Sequence, residues 1–271
     1  FIGFLMFTLI PVVMSFLYSF TDYDGITQFH FIGTKNYIKL FGNKEFLRSL
    51  SNTLYFTIGK VPVGCLLALI IAVVLNQKIR FRNFYRACYF MPTIVSTVAI
   101  SVVFQQIFNK DFGLMNGILG VFGIQPQEWL ASKTQAMPVV IFITVWKGLG
   151  VNVVIFLAGL TGVDPQLYEA ASIDGATAVT RFWKITLPMM AAPITFVLIN
   201  NTIQAFQTFD QIYMLTGGGP AKATQTLSYL IFNNAFEYFK QGYASAMAYV
   251  LFVIILVVSV LQLSLSRNSK N

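Results

Sequence analysis

The sequence predicts an all-α integral membrane protein with about six transmembrane helices in a single domain, residues 1–271. Only 10% of its residues are charged and 56% are hydrophobic, whereas a soluble domain has about 25% charged residues. The charges also cluster between apolar blocks. Because so few charges cannot cover a water-facing surface, the apolar side chains must face one another or the hydrocarbon of a bilayer.

Six apolar blocks account for this pattern. Four stretches contain no Asp, Glu, Lys or Arg, at 1–21, 87–109, 185–209 and 241–266. Each is long enough for the ~20 residues that a span needs, and they predict spans at about 1–20, 87–108, 188–213 and 243–266. Two blocks interrupted by one lysine each, Lys60 and Lys147, predict spans at about 52–75 and 137–160. The sequence opens inside an apolar run without an initiator Met, so we expect a native segment before Phe1, and the first block lacks the features of a signal peptide.

The orientation depends on the basic residues. Lys78, Arg80, Arg82 and Arg86 lie together between spans two and three, and such a cluster in a short loop favours the cytoplasmic side. The complete count of Lys and Arg is equal for the loops of the two sides, so charge alone leaves the orientation open.

The polar loop between spans four and five, residues 161–188, carries clear helix signals. Asp164 suits an N-cap, Pro165 suits the first helical position, and Gly175 supplies a left-handed stop. A second short helix is predicted from about Ala176 to near Pro188. The loop therefore predicts two small amphipathic helices folded at a glycine.

This loop resembles the EAA loop of ABC importer permeases. The matching residues are Glu169-Ala170-Ala171, then Asp174-Gly175-Ala176, then Ile185, Leu187 and Pro188. The resemblance implies that residues 169–174 form a coupling helix that docks on a separate ATPase subunit, and it places the loop in the cytoplasm, in agreement with the basic cluster. The candidate coupling residues are Glu169, Ala170, Ala171, Asp174, Gly175, Arg181, Leu187 and Pro188.

Further motifs narrow the resemblance to the MalF-like and UgpA-like permeases of carbohydrate uptake. They are Asn52-Thr53-Leu54 at the start of span two, Phe209-Asp210, and Thr216-Gly217-Gly218-Gly219-Pro220. The maltose permease has a large periplasmic insertion without a counterpart here, so the chain is more similar to the shorter glycerol-phosphate and oligosaccharide members. The resemblance implies a second homologous permease subunit, two ATP-binding subunits that hold ATP and Mg, an extracytoplasmic solute-binding protein, and the bacterial cytoplasmic (inner) membrane.

Polar residues inside the spans suggest where a substrate passes. Asn200, Gln204, Gln207 and Gln211 share one face of a predicted helix, and amides in a span either line a cavity or bond to a neighbouring helix. Both interpretations stay open. The candidate pathway residues are Asn200, Asn201, Gln204, Gln207 and Thr208 of span five, Thr144, Lys147, Gly148 and Asn152 of span four, and Thr93 and Thr97 of span three. Amides and hydroxyls suit a neutral sugar, whereas Lys147 leaves an anionic ligand open.

The charged residues within the spans, Lys60, Lys147 and Asp210, have no role fixed by the sequence. Each lysine can extend toward water at a membrane surface, and Asp210 can pair with either. The same three residues would be the coupling set of the alternative function, an ion-coupled secondary carrier, and an intramembrane scaffold is a third possibility. Internal repeats typical of many such carriers are not evident.

Enzymatic functions fit poorly. His30 is the only histidine, so a histidine-based metal cluster or a Ser-His-Asp triad within the spans is not expected. The Gly-Lys-Ser/Thr ending of a phosphate-binding loop does not occur in the sequence, so we expect no cofactor in this chain. The net charge of +8 is better explained by topology and lipid headgroup contacts than by nucleic acid.

Overall fold

The computed structural model describes residues 2–26, 28–77 and 80–268, and it confirms the predicted all-α class. The first apolar helix, α1, spans Ile2–Tyr18 and contains a π turn at Leu5–Leu9. A single isolated bridge joins Thr21 to Phe31 before the short helix α2, Lys35–Phe41. The buried Asn36 of α2 fixes this region, because its side chain donates to the carbonyl oxygens of Ser19 and Thr21 at 2.9 and 2.8 Å.

The longest helix, α3, spans Lys44–Asn76. It begins eight residues before the predicted start at 52, because Asn43 caps it: the Asn43 side chain accepts from the backbone N–H groups of Glu45 and Phe46. The Asn52-Thr53-Leu54 motif therefore lies inside the helix rather than at its start. Of the basic cluster that follows, Lys78 lies outside the described residues.

The third apolar block, predicted as one span at 87–108, contains a break. Helix α4, Arg82–Ile94, and helix α5, Thr97–Ile107, meet at an angle of 100°. Pro92 cannot donate a backbone hydrogen bond in the last turn of α4, and Val95 and Ser96 then adopt extended backbone with ψ near 139° and 138°. The chain continues through α6, Leu114–Val121.

Helix α7, Ala136–Thr161, agrees with the predicted span 137–160 to within one residue at each end. It packs along α3, and the two helices share the centre of the molecule. Phe56 of α3 and Ile143 of α7 lie in one buried cluster, and Ala68 and Phe156 lie in a second. This helix pair is the frame on which the other elements pack.

The fifth predicted span, 188–213, is also interrupted. Helices α8, Pro165–Ile173, and α9, Ala178–Met189, precede α10, Ala191–Phe206, which meets α9 at 64°. The helix ends at Phe206, and α11, Asp210–Leu215, begins after a break. The chain ends with α12, Leu227–Phe232, a π turn at Asn233–Glu237, and α13, Gln241–Asn268.

Within the described residues, three helices are long and apolar enough to cross a membrane: α3, α7 and α13. The number rises to five if each bent pair, α4 with α5 and α9 with α10, is one span. Helix α1 is apolar but shorter than the ~20 residues of a complete span. The count of six spans stays a prediction.

Candidate functional site

A polar cavity of about 380 Å³ lies between α3, α4, α7, α10 and the segment that follows α10. Its wall contains ten residues predicted for the pathway: Thr93, Thr144, Lys147, Gly148, Asn152, Asn200, Asn201, Gln204, Gln207 and Thr208. It also contains Lys60, Val151, Phe209, Asp210 and Gln211. The remaining predicted residue, Thr97, is joined to this group because its hydroxyl accepts a hydrogen bond from Lys147 Nζ.

The four amides that were predicted to share one face of a single helix do not lie on a single helix. Gln207 caps the C-terminus of α10, and Gln211 lies in the first turn of α11. The chain turns between them through Thr208 and Phe209, and this turn returns both amides to the same cavity. These residues lie together as predicted, but a turn between two helices brings them together, and not a continuous helix.

One pathway amide outside this face joins two helices. Asn201 of α10 and Asn152 of α7 are both buried and form a reciprocal pair, with N···O distances of 3.0 and 3.4 Å. The Asn201 side chain also donates to the carbonyl oxygen of Val197 at 2.9 Å. This pair serves as a contact between helices, the second of the two interpretations left open by the sequence.

Four amides remain available to a ligand. The side chains of Asn200, Gln204, Gln207 and Gln211 form no hydrogen bond with the part of the chain that is described, and all four line the cavity. Thr144, in contrast, donates to the carbonyl oxygen of Val140 at 2.7 Å. The candidate pathway residues are therefore divided between helix contacts and a wall with free donors and acceptors.

The charged residues of the cavity do not pair with one another. Lys147 donates to Thr97 Oγ1, and its carbonyl oxygen accepts from Thr93 Oγ1 at 3.1 Å. Lys60 is buried, and neither lysine forms an ion pair with Asp210. The salt bridge that the sequence left open is absent from this conformation.

The helix pair α8 and α9 forms a second candidate site, at the surface. The Asp164 side chain accepts from the backbone N–H of Gln166 at 2.9 Å. At the other end Gly175 has φ +77°, and the N–H of Ala176 bonds to the carbonyl oxygen of Ala171 at 2.9 Å, which is the Schellman arrangement. The predicted start, first position and stop of this helix are confirmed.

The second helix of the pair begins two residues later than predicted. It starts at Ala178 because the Thr177 side chain accepts from the N–H of Thr180 and acts as the N-cap. Arg181 Nη1 donates to Ser172 Oγ at 2.7 Å, which ties α9 to α8. Tyr168, which the sequence did not single out, bonds through its hydroxyl to Thr186 Oγ1 at 2.9 Å. These contacts hold the two helices as one body.

The exposed face of this body combines charge with apolar surface. Glu169, Ala170 and Asp174 are exposed, as the resemblance implied for a docking surface. Ile173 is 87% exposed and Trp183 is 62% exposed, which adds apolar area beside the charges. Such area on a small helix pair is typical of an interaction surface.

Two predicted coupling residues lie elsewhere. Leu187 and Pro188 line a separate groove between α9, α10 and the end of α13, together with Gln262 and Ser266. Their position is at the junction of the helix pair with the helix bundle. Within the described residues, no group of three or more His, Cys, Asp or Glu side chains is arranged to hold a metal ion.

Comparison with known proteins gives a consistent result. A family model described as "Binding-protein-dependent transport system inner membrane component" matches residues 61–271. The chain is 36% identical to the multiple sugar-binding transport system permease protein MsmF of Streptococcus mutans, covering 97% of this chain and 91% of that protein. It is 35% identical to the trehalose/maltose transport system permease protein MalF of Thermococcus litoralis, covering 97% and 89%.

The fold also matches a solved structure. A chain of a bacterial alginate ABC transporter, in complex with alginate pentasaccharide-bound periplasmic protein, superimposes with a TM-score of 0.87 and 23% identity. The match covers 100% of this chain and 92% of that one.

Proposed function

The chain belongs to the family of binding-protein-dependent transport system inner membrane components, the permease subunits of ABC importers, and we propose that it forms half of the pathway by which such an importer takes up a carbohydrate. It is a transport subunit and not an enzyme. The relatives named for multiple sugars and for trehalose and maltose support a carbohydrate cargo.

The polar cavity is the proposed site of cargo passage. Sugars are bound in proteins by hydrogen bonds that fix their hydroxyl groups and by an aromatic or apolar surface beneath the ring. Asn200, Gln204 and Gln207 offer amide donors and acceptors without internal partners, and Phe209 offers an aromatic ring in the same wall. This combination supports the passage of a polar, ring-containing molecule.

The helix pair α8 and α9 is the proposed coupling element, and one observation carries this part of the proposal. Helix α9 leads through a 64° bend directly into α10, and α10 carries Asn200, Asn201 and Gln204 of the cavity wall. Because Tyr168 and Arg181 fix α8 to α9, a displacement of the exposed helix pair is transmitted to the cavity wall through a short, continuous segment. This is the mechanical link that an ATP-driven transporter needs.

The remaining subunits follow from this assignment. Two ATP-binding subunits hold ATP and Mg, and one of them receives the exposed face around Glu169. A second, homologous permease subunit supplies the other half of the pathway. A periplasmic solute-binding protein delivers the cargo, a role supported by the complex of the alginate transporter. The bacterial inner membrane and its lipid are the proposed location, and nucleic acid is not among the partners.

The test is ATP-dependent uptake by the complete importer reconstituted in vesicles, with Glu169→Lys compared with Glu169→Gln. The lysine reverses the charge of an exposed residue on the docking face, and disturbing a charged contact in an interface costs about 2–5 kcal/mol. We expect Glu169→Lys to reduce uptake at least tenfold, Glu169→Gln to reduce it less, and both variants to insert normally. Uptake that persists without ATP in an ion gradient would instead support a secondary carrier.

A further inference from the structure

Lys60 is the charged residue whose environment is least explained by the fold. Lys60 is only 6% exposed, and it is the only buried charged residue in the described part of the chain. It forms no ion pair and no hydrogen bond with the part of the chain that is described. Because a buried charge without a partner is strongly disfavoured, a lysine kept at this position needs an explanation.

The ends of its helix do not provide one. Lys60 lies sixteen residues from each end of α3, Lys44–Asn76, which is about 24 Å along the helix axis at 1.5 Å per residue. A lysine side chain extends only about 6 Å, so its ammonium group cannot reach either end of the helix. The open space that Lys60 borders is the polar cavity.

A second ammonium group borders the same cavity from the opposite helix. Lys147 of α7 uses one of its three N–H donors in the bond to Thr97 Oγ1. No carboxylate is paired with it. Two donors of Lys147 and all three donors of Lys60 thus have no partner in the described part of the chain.

The one acidic residue of the wall does not neutralise them. Asp210 is exposed and is the first residue of α11, Asp210–Leu215, where the free N–H groups of a helix start favour a carboxylate. It forms no ion pair with either lysine. The wall therefore carries two positive charges against one negative charge, and the two positive charges are unpaired.

We propose that this cavity contains a subsite for an anionic group on the cargo, bound by Lys60 with the support of Lys147, so that the cargo is an acidic sugar. The group is an oxyanion, either the carboxylate of a uronic acid or a phosphate ester. The inference rests on the proposed function, since it concerns the site through which the cargo passes. The free amides of Asn200, Gln204 and Gln207 bind the neutral hydroxyl groups of the same molecule.

The test measures ATP-dependent uptake of matched sugars by the complete importer in vesicles. The probes are cellobiose, cellobiouronic acid, the methyl ester of cellobiouronic acid, and cellobiose phosphate. The methyl ester keeps the shape of the uronic acid without its charge. Because the solute-binding protein is the same in every sample, the comparison of acid and ester in the wild-type and Lys60→Gln importers isolates the contribution of the cavity. The two anionic probes distinguish a carboxylate from a phosphate ester.

We expect at least one anionic probe to be taken up at a half-saturation concentration at least tenfold lower than that of its neutral counterpart. Lys60→Gln should raise this value at least tenfold, and Lys147→Gln should raise it less, because Lys147 keeps part of its bonding within the protein. Lys133→Gln is the control, since it removes the charge of an exposed lysine outside the cavity.

Each other result has a definite meaning. Preference for cellobiose, or equal effects of Lys60→Gln on charged and neutral probes, overturns the anionic subsite and leaves the permease function intact. ATP-dependent uptake of none of the four probes overturns the acidic-sugar assignment. If neutral oligosaccharides of other sizes also fail, the proposed function fails with it.

Discussion

Gly175 gives the sharpest test of the coupling element, because its requirement is purely conformational. The residue ends α8 at φ +77°, and a Cβ atom placed on it would meet nothing within 4 Å. A side chain is thus excluded by the backbone conformation and not by space. For residues other than glycine this left-handed conformation costs about 1–2 kcal/mol, and more for a β-branched residue.

The proposed change is Gly175→Val, with Gly175→Asn as a matched control of nearly equal size. Asparagine tolerates the left-handed conformation and is found at helix stops, whereas valine does not tolerate it. A penalty of 1–2 kcal/mol lowers the ratio of the folded turn to other loop conformations by a factor of about 5–30. The turn sets the angle between α8 and α9, so this factor is the upper limit of the loss of coupling.

The measurement is the amount of sugar imported per ATP hydrolysed by the reconstituted importer. We expect this ratio to fall more than twofold, and by up to about 30-fold, for Gly175→Val and less than twofold for Gly175→Asn, with equal amounts of each variant in the membrane. If valine and asparagine reduce the ratio equally, side-chain bulk in the docked complex is responsible and the conformational argument is wrong. If neither reduces it, α8 does not couple.

Two further predictions concern the helix contacts around the cavity. Gly150→Ala should destabilise the protein by about 1–3 kcal/mol, because the new Cβ would lie 2.4 Å from Thr93 Oγ1. Gly148→Ala should be neutral or stabilising by up to about 1 kcal/mol, because its new Cβ would meet nothing within 4 Å. Thermal unfolding in detergent compares the two variants. Asn201→Leu should lower the free energy of unfolding by about 1–3 kcal/mol, because it leaves the buried Asn152 amide unpaired. The double variant with Asn152→Leu should lower it by less than the sum of the two single variants. Additive losses would contradict the reciprocal pair.

Local chemistry made parts of this structure predictable from the sequence. The ends of α8 follow from Asp164, Pro165 and Gly175, whose effects act within a few residues. The ends of α7 follow from the contrast between an apolar block and polar flanks. In each case the residues that set the helix end lie within a few positions of it, so the end can be predicted without the tertiary structure.

The two broken spans show where such information ends. Pro92 is visible in the sequence, but a proline within an apolar block often only bends a helix, and nothing in the charge-free run indicates a turn of 100°. The break after Phe206 has no glycine or proline at all. Thr208 is instead held by tertiary contacts, since its carbonyl oxygen accepts from the hydroxyl of Thr226, eighteen residues away.

The amides that are free in the cavity wall are set by the rotation of α10 about its axis, which cannot be predicted from the sequence. Asn200 and Asn201 are adjacent and chemically identical, yet Asn201 is buried against Asn152 and Asn200 keeps a free amide in the cavity wall. Neighbouring helical residues point about 100° apart, so the contact with α7 decides which amide is free. Because α10 continues from α9, a rotation imposed on the helix pair would change which amides face the cavity, and this is how the proposed coupling would act on the proposed pathway.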